Sequence, residues 1–178
     1  MKRKSKVCET KGAFAMTVAA AMEKMIVFSQ GNLHDIDHFL KVCALAKTIA
    51  EQEGLDAETR NTLELAAVVH DIACPLCREK YGNTNGRHQE QESPPLVEAF
   101  FAGADVNISR ISWLVAHHHT CTNVDSPDYR ILLEADFLVN AGESHYTKAA
   151  ITSARKQFFR TETGIRLLDT MFCPDVSY

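Results

Sequence analysis

Leu63-Glu64-Leu65-Ala66-Ala67-Val68-Val69-His70-Asp71-Ile72-Ala73 is the stretch on which the fold turns. Its apolar residues neither alternate nor keep to one stripe. They cover most of a helix's circumference, as in a helix running through the centre of a bundle. Asp56, just after Gly54, is placed to cap its start. The far end then carries His70 and Asp71 into a partly buried position. A histidine suits the negative end of a helix, whereas an aspartate beside it is unfavourable there unless a cation compensates. The pair therefore reads as two metal ligands at the edge of a cavity.

Upstream, residues 14 to 28 read as a helix dense in Ala and Met, interrupted by Gln30-Gly31-Asn32. A second helix runs from about Asp35 to Glu53, with Ile36, Phe39, Leu40, Cys43, Ala46 and Ala50 on one face. His38 shares a line with Val42 and Leu45, so it needs a polar partner. Taken alone, it would be an ordinary satisfied core histidine.

Downstream, residues 74 to 87 contain Pro75, Gly82, Asn83, Asn85 and Gly86 and read as a loop. Helical signals resume over Gln89 to Ala102, where Pro94 and Pro95 favour a new helical start within the stretch. The next helix, Asn107 to about His118, turns Ile108, Ile111, Leu114 and Val115 inward. It ends on His117-His118-His119, three imidazoles that cannot all face the same way. After a loop from Thr120 to Pro127, Asp128 is expected to cap Tyr129 to Asn140. Helical segments over 145 to 159 and 165 to 171 complete the chain. No stretch has period two. The expected fold is all-α, an irregular bundle of seven to eight helices. A chain of 178 residues is long enough for one core and short for two, so a single domain is expected.

Asp136 lies inside Ile131-Leu132-Leu133-Glu134-Ala135-Asp136-Phe137-Leu138-Val139-Asn140, where an unpaired carboxylate would be costly. Glu134 is expected on the solvent side of that helix. His38, His70, Asp71 and Asp136 thus offer nitrogen and oxygen donors from several helices. Such a set suits Mn, Fe, Co, Ni or Zn better than an all-sulfur site would, and it leaves coordination positions open.

A net charge of -4, with Lys and Arg dispersed beyond the basic start Met1 to Lys6, gives no clustered positive surface for nucleic acid. Residues 1 to 9 read as a flexible basic tail with too little apolar length for a leader or a membrane span. Cys8, Cys43, Cys74, Cys77, Cys121 and Cys173 are expected as free thiols, consistent with a cytoplasmic protein. Cys74-Pro75-Leu76-Cys77 has the spacing of half a zinc site or of a redox pair, but no second pair matches it, which favours a structural role.

His38, then His70-Asp71 within LELAAVVHDIA, then Asp136 within ILLEADFLVN, resemble in order and apolar setting the HD superfamily of metal-dependent phosphohydrolases. The resemblance spans about residues 35 to 140. It implies a divalent ion held by those four residues, Mg being a further candidate, with Asp71 able to bridge to a second ion. It implies further ligands at His117 and His118, with His119 as the competing register, and at His88, where the family spacing falls instead on Gln89. One ion or two is left open. No Gly-Tyr-Pro segment is present, which argues against the cyclic-di-nucleotide branch.

The implied chemistry is hydrolysis of a phosphomonoester or phosphoanhydride in a nucleotide or other small phosphorylated metabolite. Asp71, His117 and His118 are the expected catalytic groups, and Lys41, Arg78, Lys80 and Arg87 the candidates for phosphate contact. The alternative is a metal-stabilised nucleotide-binding or regulatory module without turnover. Monomer and homodimer are both compatible with the sequence.

Overall fold

Thr62 to Val69 are all buried, and this segment is the axis about which the other helices assemble. The computed structural model describes residues 14–172. The helices among them are α1 (Val18–Phe28), α2 (Leu33–Gln52), α3 (Ala57–Val69), α4 (Cys74–Tyr81), α5 (Gly86–Phe100), α6 (Ile108–Val115), α7 (Pro127–Glu143), α8 (Lys148–Gln157) and α9 (Glu162–Phe172). The architecture is the expected all-α irregular bundle. The basic tail, Cys8 and Cys173 lie outside the described residues.

The central helix α3 packs against α1, α2, α6 and α7, while α2 also lies along α7. Asp56 starts α3 as expected, its Oδ1 accepting the amides of Glu58 and Thr59 at 3.0 and 2.9 Å. The first helix begins later than expected, at Val18, with Thr17 as its cap. Phe14 instead forms an isolated bridge with Ala104. No helix among the described residues is long and apolar enough to cross a membrane.

Several local expectations are corrected. Residues 74 to 81 form α4 and not loop. Pro75 occupies the first turn, where its missing N–H costs nothing, and Gly82 takes the left-handed conformation (φ 70°) that ends the helix. Pro94 and Pro95 do not restart a helix, for α5 runs through them. The carbonyls they leave unpaired are those of Glu90, half-buried, and Gln91, exposed, where water can reach. The cap of α7 is Ser126, and Asp128 sits in its first turn, gripped by Arg110 at 2.8 and 2.9 Å.

Glu134 does not face solvent. It is fully buried and accepts the amides of Arg160 and Thr161 at 2.7 and 3.1 Å, together with the Thr161 hydroxyl. A carboxylate from α7 thereby secures the start of α9. Gly164 makes this possible, because a Cβ there would collide with Glu134 Oε2. Burial pushes the Glu134 carboxyl pKa up in spite of these hydrogen bonds.

Candidate metal centre

The bundle brings the second turn of α2, the end of α3, the turn after α6 and the middle of α7 to one place. From α2, His38 directs Nε2 to within 3.1 Å of His70 Nε2 and 3.2 Å of Asp136 Oδ1. His70, at the C-terminus of α3, lies 3.5 Å from the same Asp136 oxygen. Asp71 turns Oδ2 to 3.6 Å from both nitrogens. Its other oxygen, Oδ1, is 3.4 Å from Nε2 of His118. Oδ2 of Asp71 thus faces His38 and His70 and Oδ1 faces His118, while His119 shares a ligand group with Asp71 and His118.

Atoms bound about 2.1 Å from one ion stand about 3.0 to 3.4 Å from each other, for octahedral and tetrahedral angles respectively. The spacing around His38, His70 and Asp136 falls in or close to that range. Hydrogen bonding orients the donors for the same purpose. His70 Nδ1 donates to Ala67 O at 2.8 Å and His118 Nδ1 to Val115 O at 2.7 Å, leaving each Nε2 as the lone-pair nitrogen when the ring is neutral. His38 Nδ1 faces Glu143 Oε2 at 2.8 Å. Two Nε2 lone pairs 3.1 Å apart repel unless a cation lies between them. His118 Nε2 is buried without a hydrogen-bond partner among the described residues. The donor set therefore fits a divalent ion on physical grounds.

The electrostatics agree. Burial alone would raise the pKa values of Asp71 and Asp136, yet the surrounding imidazoles hold both carboxyls well below the usual range. Burial opposes charge on His38, but the hydrogen bond to Asp136 and the field of Asp71 push its pKa up to about 9. His119 goes the other way: desolvation and the neighbouring His118 lower it to about 4, so its ring is neutral at pH 7.

The other expected residues are distributed differently. His117 is turned aside, its ring stacked on Trp113 at 4.3 Å and its Nδ1 donating to Trp113 O. The helix ends at Val115, so the three histidines follow the path of a turn, and His118 with His119 is the pair beside Asp71. His88 stacks on Tyr81 at 3.9 Å and is not among the grouped ligands. Gln89, one residue on, reaches the cavity, accepting from Cys74 Sγ at 3.2 Å and donating to Thr84 O at 3.0 Å.

The ligands open on a polar cavity of about 200 Å³, whose rim includes Arg78 and Thr84. A larger groove of about 520 Å³, bounded by Leu45, Leu138 and Met171, is mostly apolar and has no imidazole in its wall. Of the four expected phosphate contacts, Arg78 alone lines the polar cavity, held in a two-pronged bond to Asp35 at 2.6 and 2.7 Å. Lys41 is bound to Glu143 at 3.0 Å and Lys80 to Glu92 at 2.6 Å, while Arg87 is exposed. Cys74 lines the cavity and Cys77 is buried, and burial pushes both thiols up.

Two functional side chains escape a reading of the sequence. Asn140 donates to Asp136 Oδ1 at 2.8 Å, and Glu143 receives His38. Both follow Asp136 at helical spacing, four and seven residues on, and that periodicity was the available signal.

Imidazoles and carboxylates converging within a helical bundle, at the mouth of a polar cavity, define a metal-dependent phosphohydrolase. The model of the HD domain matches residues 35–141, so the chain belongs to the HD domain family. No curated protein and no solved structure matches it.

Proposed function

We propose that this protein hydrolyses a phosphomonoester or phosphoanhydride bond in a nucleotide or a related small phosphorylated metabolite. His38, His70, Asp71 and Asp136 would hold one divalent ion, and His118, His119 and Asp71 a second. The observation that carries the reading is the divided carboxylate of Asp71, one oxygen turned to His38 and His70 and the other to His118.

A divalent ion bound there lowers the pKa of water and polarises a phosphoryl oxygen. The chain's own groups do the rest. Asp136 and Asp71 supply negative charge that keeps the ions in place, and Glu143 fixes the ring of His38. Arg78 exchanges Asp35 for an incoming phosphate, a two-pronged partner of similar shape.

The test is elemental analysis of the purified protein, followed by a panel of nucleotides and phosphorylated metabolites with added Mn, Co, Ni or Mg. Phosphate release that needs the metal and disappears in Asp71→Ala is the expected result. Metal-loaded protein inert across the panel would overturn the reading.

A further inference from the structure

Beside the polar cavity lies a second one of about 160 Å³ with a different lining. Leu133, Phe137, Tyr146, Phe158 and Cys121 form most of its wall. Its inner end is shared with the metal cavity, since His119, Asp136 and Asn140 border both. The two are thus neighbouring compartments, one lined by ligands and charges and the other by rings.

The rings are ordered. Phe137 makes edge-to-face contact with Tyr146, centroids 5.5 Å apart, and with Phe158 at 5.1 Å. Phe158 is secured through its carbonyl, which accepts from Arg130 at 3.1 Å. Tyr146 is 40% exposed and Cys121 is exposed, so the cleft is open to a ligand from outside. Asn140 stands where the compartments meet. One amide proton is given to Asp136, which leaves its carbonyl oxygen without a partner among the described hydrogen bonds. Tyr146 and Phe158 also fall outside the residues that the HD domain model matches, so this wall belongs to the chain's own extension of the shared core.

An apolar aromatic cleft joined to an anion-binding, metal-holding one fits a ligand with the same two halves. We propose that the Phe137–Tyr146–Phe158 cleft seats a planar ring of the substrate while its phosphate lies at the metal centre, and that Asn140 contacts the linker between them. The substrate class is then a phosphate ester bearing a ring, the nucleoside monophosphates foremost. The proposal rests on the hydrolase reading above and adds to it the residues that select the substrate.

The test compares kcat/KM for adenosine 5′-monophosphate, phenyl phosphate and glycerol 3-phosphate in the metal-loaded full chain. Base-on-aromatic contacts predict a preference for the nucleotide over glycerol phosphate that falls roughly tenfold or more in Tyr146→Ala and is largely restored in Tyr146→Phe. Phenyl phosphate distinguishes a ring attached directly to phosphate from one set at a sugar's distance. Should Tyr146→Ala unfold, Cys121→Trp, which fills the cleft from its exposed edge, is expected to reduce the same preference.

A second measurement needs no turnover. Alkylation of Cys121 by iodoacetamide, followed by peptide mass spectrometry, is slowed by adenosine and by adenosine 5′-monophosphate but not by glycerol 3-phosphate. Protection without any hydrolysis would remove the hydrolase reading and leave the cleft as a ring-binding site. Hydrolysis with no preference for the ring, no response to the variants and no protection would remove the cleft and leave the hydrolase.

Discussion

His38 and Glu143 stand 105 residues apart in the sequence, and in the fold Nδ1 of His38 meets Glu143 Oε2 at 2.8 Å. The same carboxylate accepts Lys41 at 3.0 Å. An α7 side chain thereby sets the ring orientation of an α2 ligand, with Lys41 tethering the carboxylate in turn. Such outer partners raise the basicity of a metal-bound imidazole and hold it in one tautomer.

Glu143→Gln keeps the shape and removes the charge. Its affinity for Mn, measured by isothermal titration, is expected to fall roughly ten- to hundredfold, with a smaller loss in Lys41→Ala. Unchanged affinity in Glu143→Gln would mean that His38 is oriented by packing alone.

Among the described residues, Asp71 is the side chain common to both groups of candidate ligands. Asp71→Ala is expected to weaken binding of both ions and to cut activity by more than the roughly hundredfold typical of an outer-shell partner. Far-ultraviolet circular dichroism should report an intact helical fold, since the residue lies in the turn between α3 and α4. Loss of one ion only, with the other bound normally, would contradict the shared position.

Metal binding should depend on pH through His38. Its folded pKa, about 9, lies above its ordinary 6.5, so the proton stabilises the metal-free fold fully below about pH 6.5. That contribution is lost as pH rises through about 9. A bound ion must displace the same proton, so affinity is expected to rise up to tenfold per pH unit between about pH 6.5 and 8.5. Titrations in two buffers of different ionisation enthalpy should record close to one proton released near neutrality. A flat profile would dismiss the account.

Gly86, the first residue of α5, lies flush against the ring of His119. A Cβ at Gly86 would come within 2.7 Å of the ring and 2.9 Å of its own Cβ, too close to be relieved by a rotation of the ring alone. Gly86→Ala should therefore displace His119, lowering affinity for the second ion roughly tenfold while the first binds as before. Folding stability should fall by about 1 to 3 kcal/mol, the usual cost of an overpacked contact. A normal second binding isotherm would show that His119 is no ligand.

Glu134→Leu removes the acceptor of two amides and a hydroxyl at the start of α9. Each unsatisfied buried donor costs about 1 to 3 kcal/mol, so urea unfolding should report a loss of about 3 kcal/mol or more. Glu134→Gln, which keeps an acceptor oxygen, should lose less. Equal losses in the two variants would assign the effect to packing.

Much of this was legible in the residues. The apolar run from Leu63 to Val69 required a central helix whatever surrounds it, because side chains apolar on every face can be buried only from all sides. From that followed the helical class of the fold, the burial of the end of α3, and the suspicion attached to His70, Asp71, His38 and Asp136 as polar groups in apolar frames. Local chemistry of this kind depends on near neighbours, and near neighbours are written in the chain.

The remainder depended on distances through space. Whether His117, His118 or His119 faces Asp71 turns on where α6 ends, and a shift of one residue rotates a side chain by about 100°. His88 and Gln89 differ in the same way. Glu134 looked like a solvent-facing residue until α9 was folded over it, and Glu143 lacked a role until α7 lay against α2. Carboxylates and imidazoles look alike in sequence whether water or another helix solvates them. Only packing that joins residues a hundred positions apart decides which.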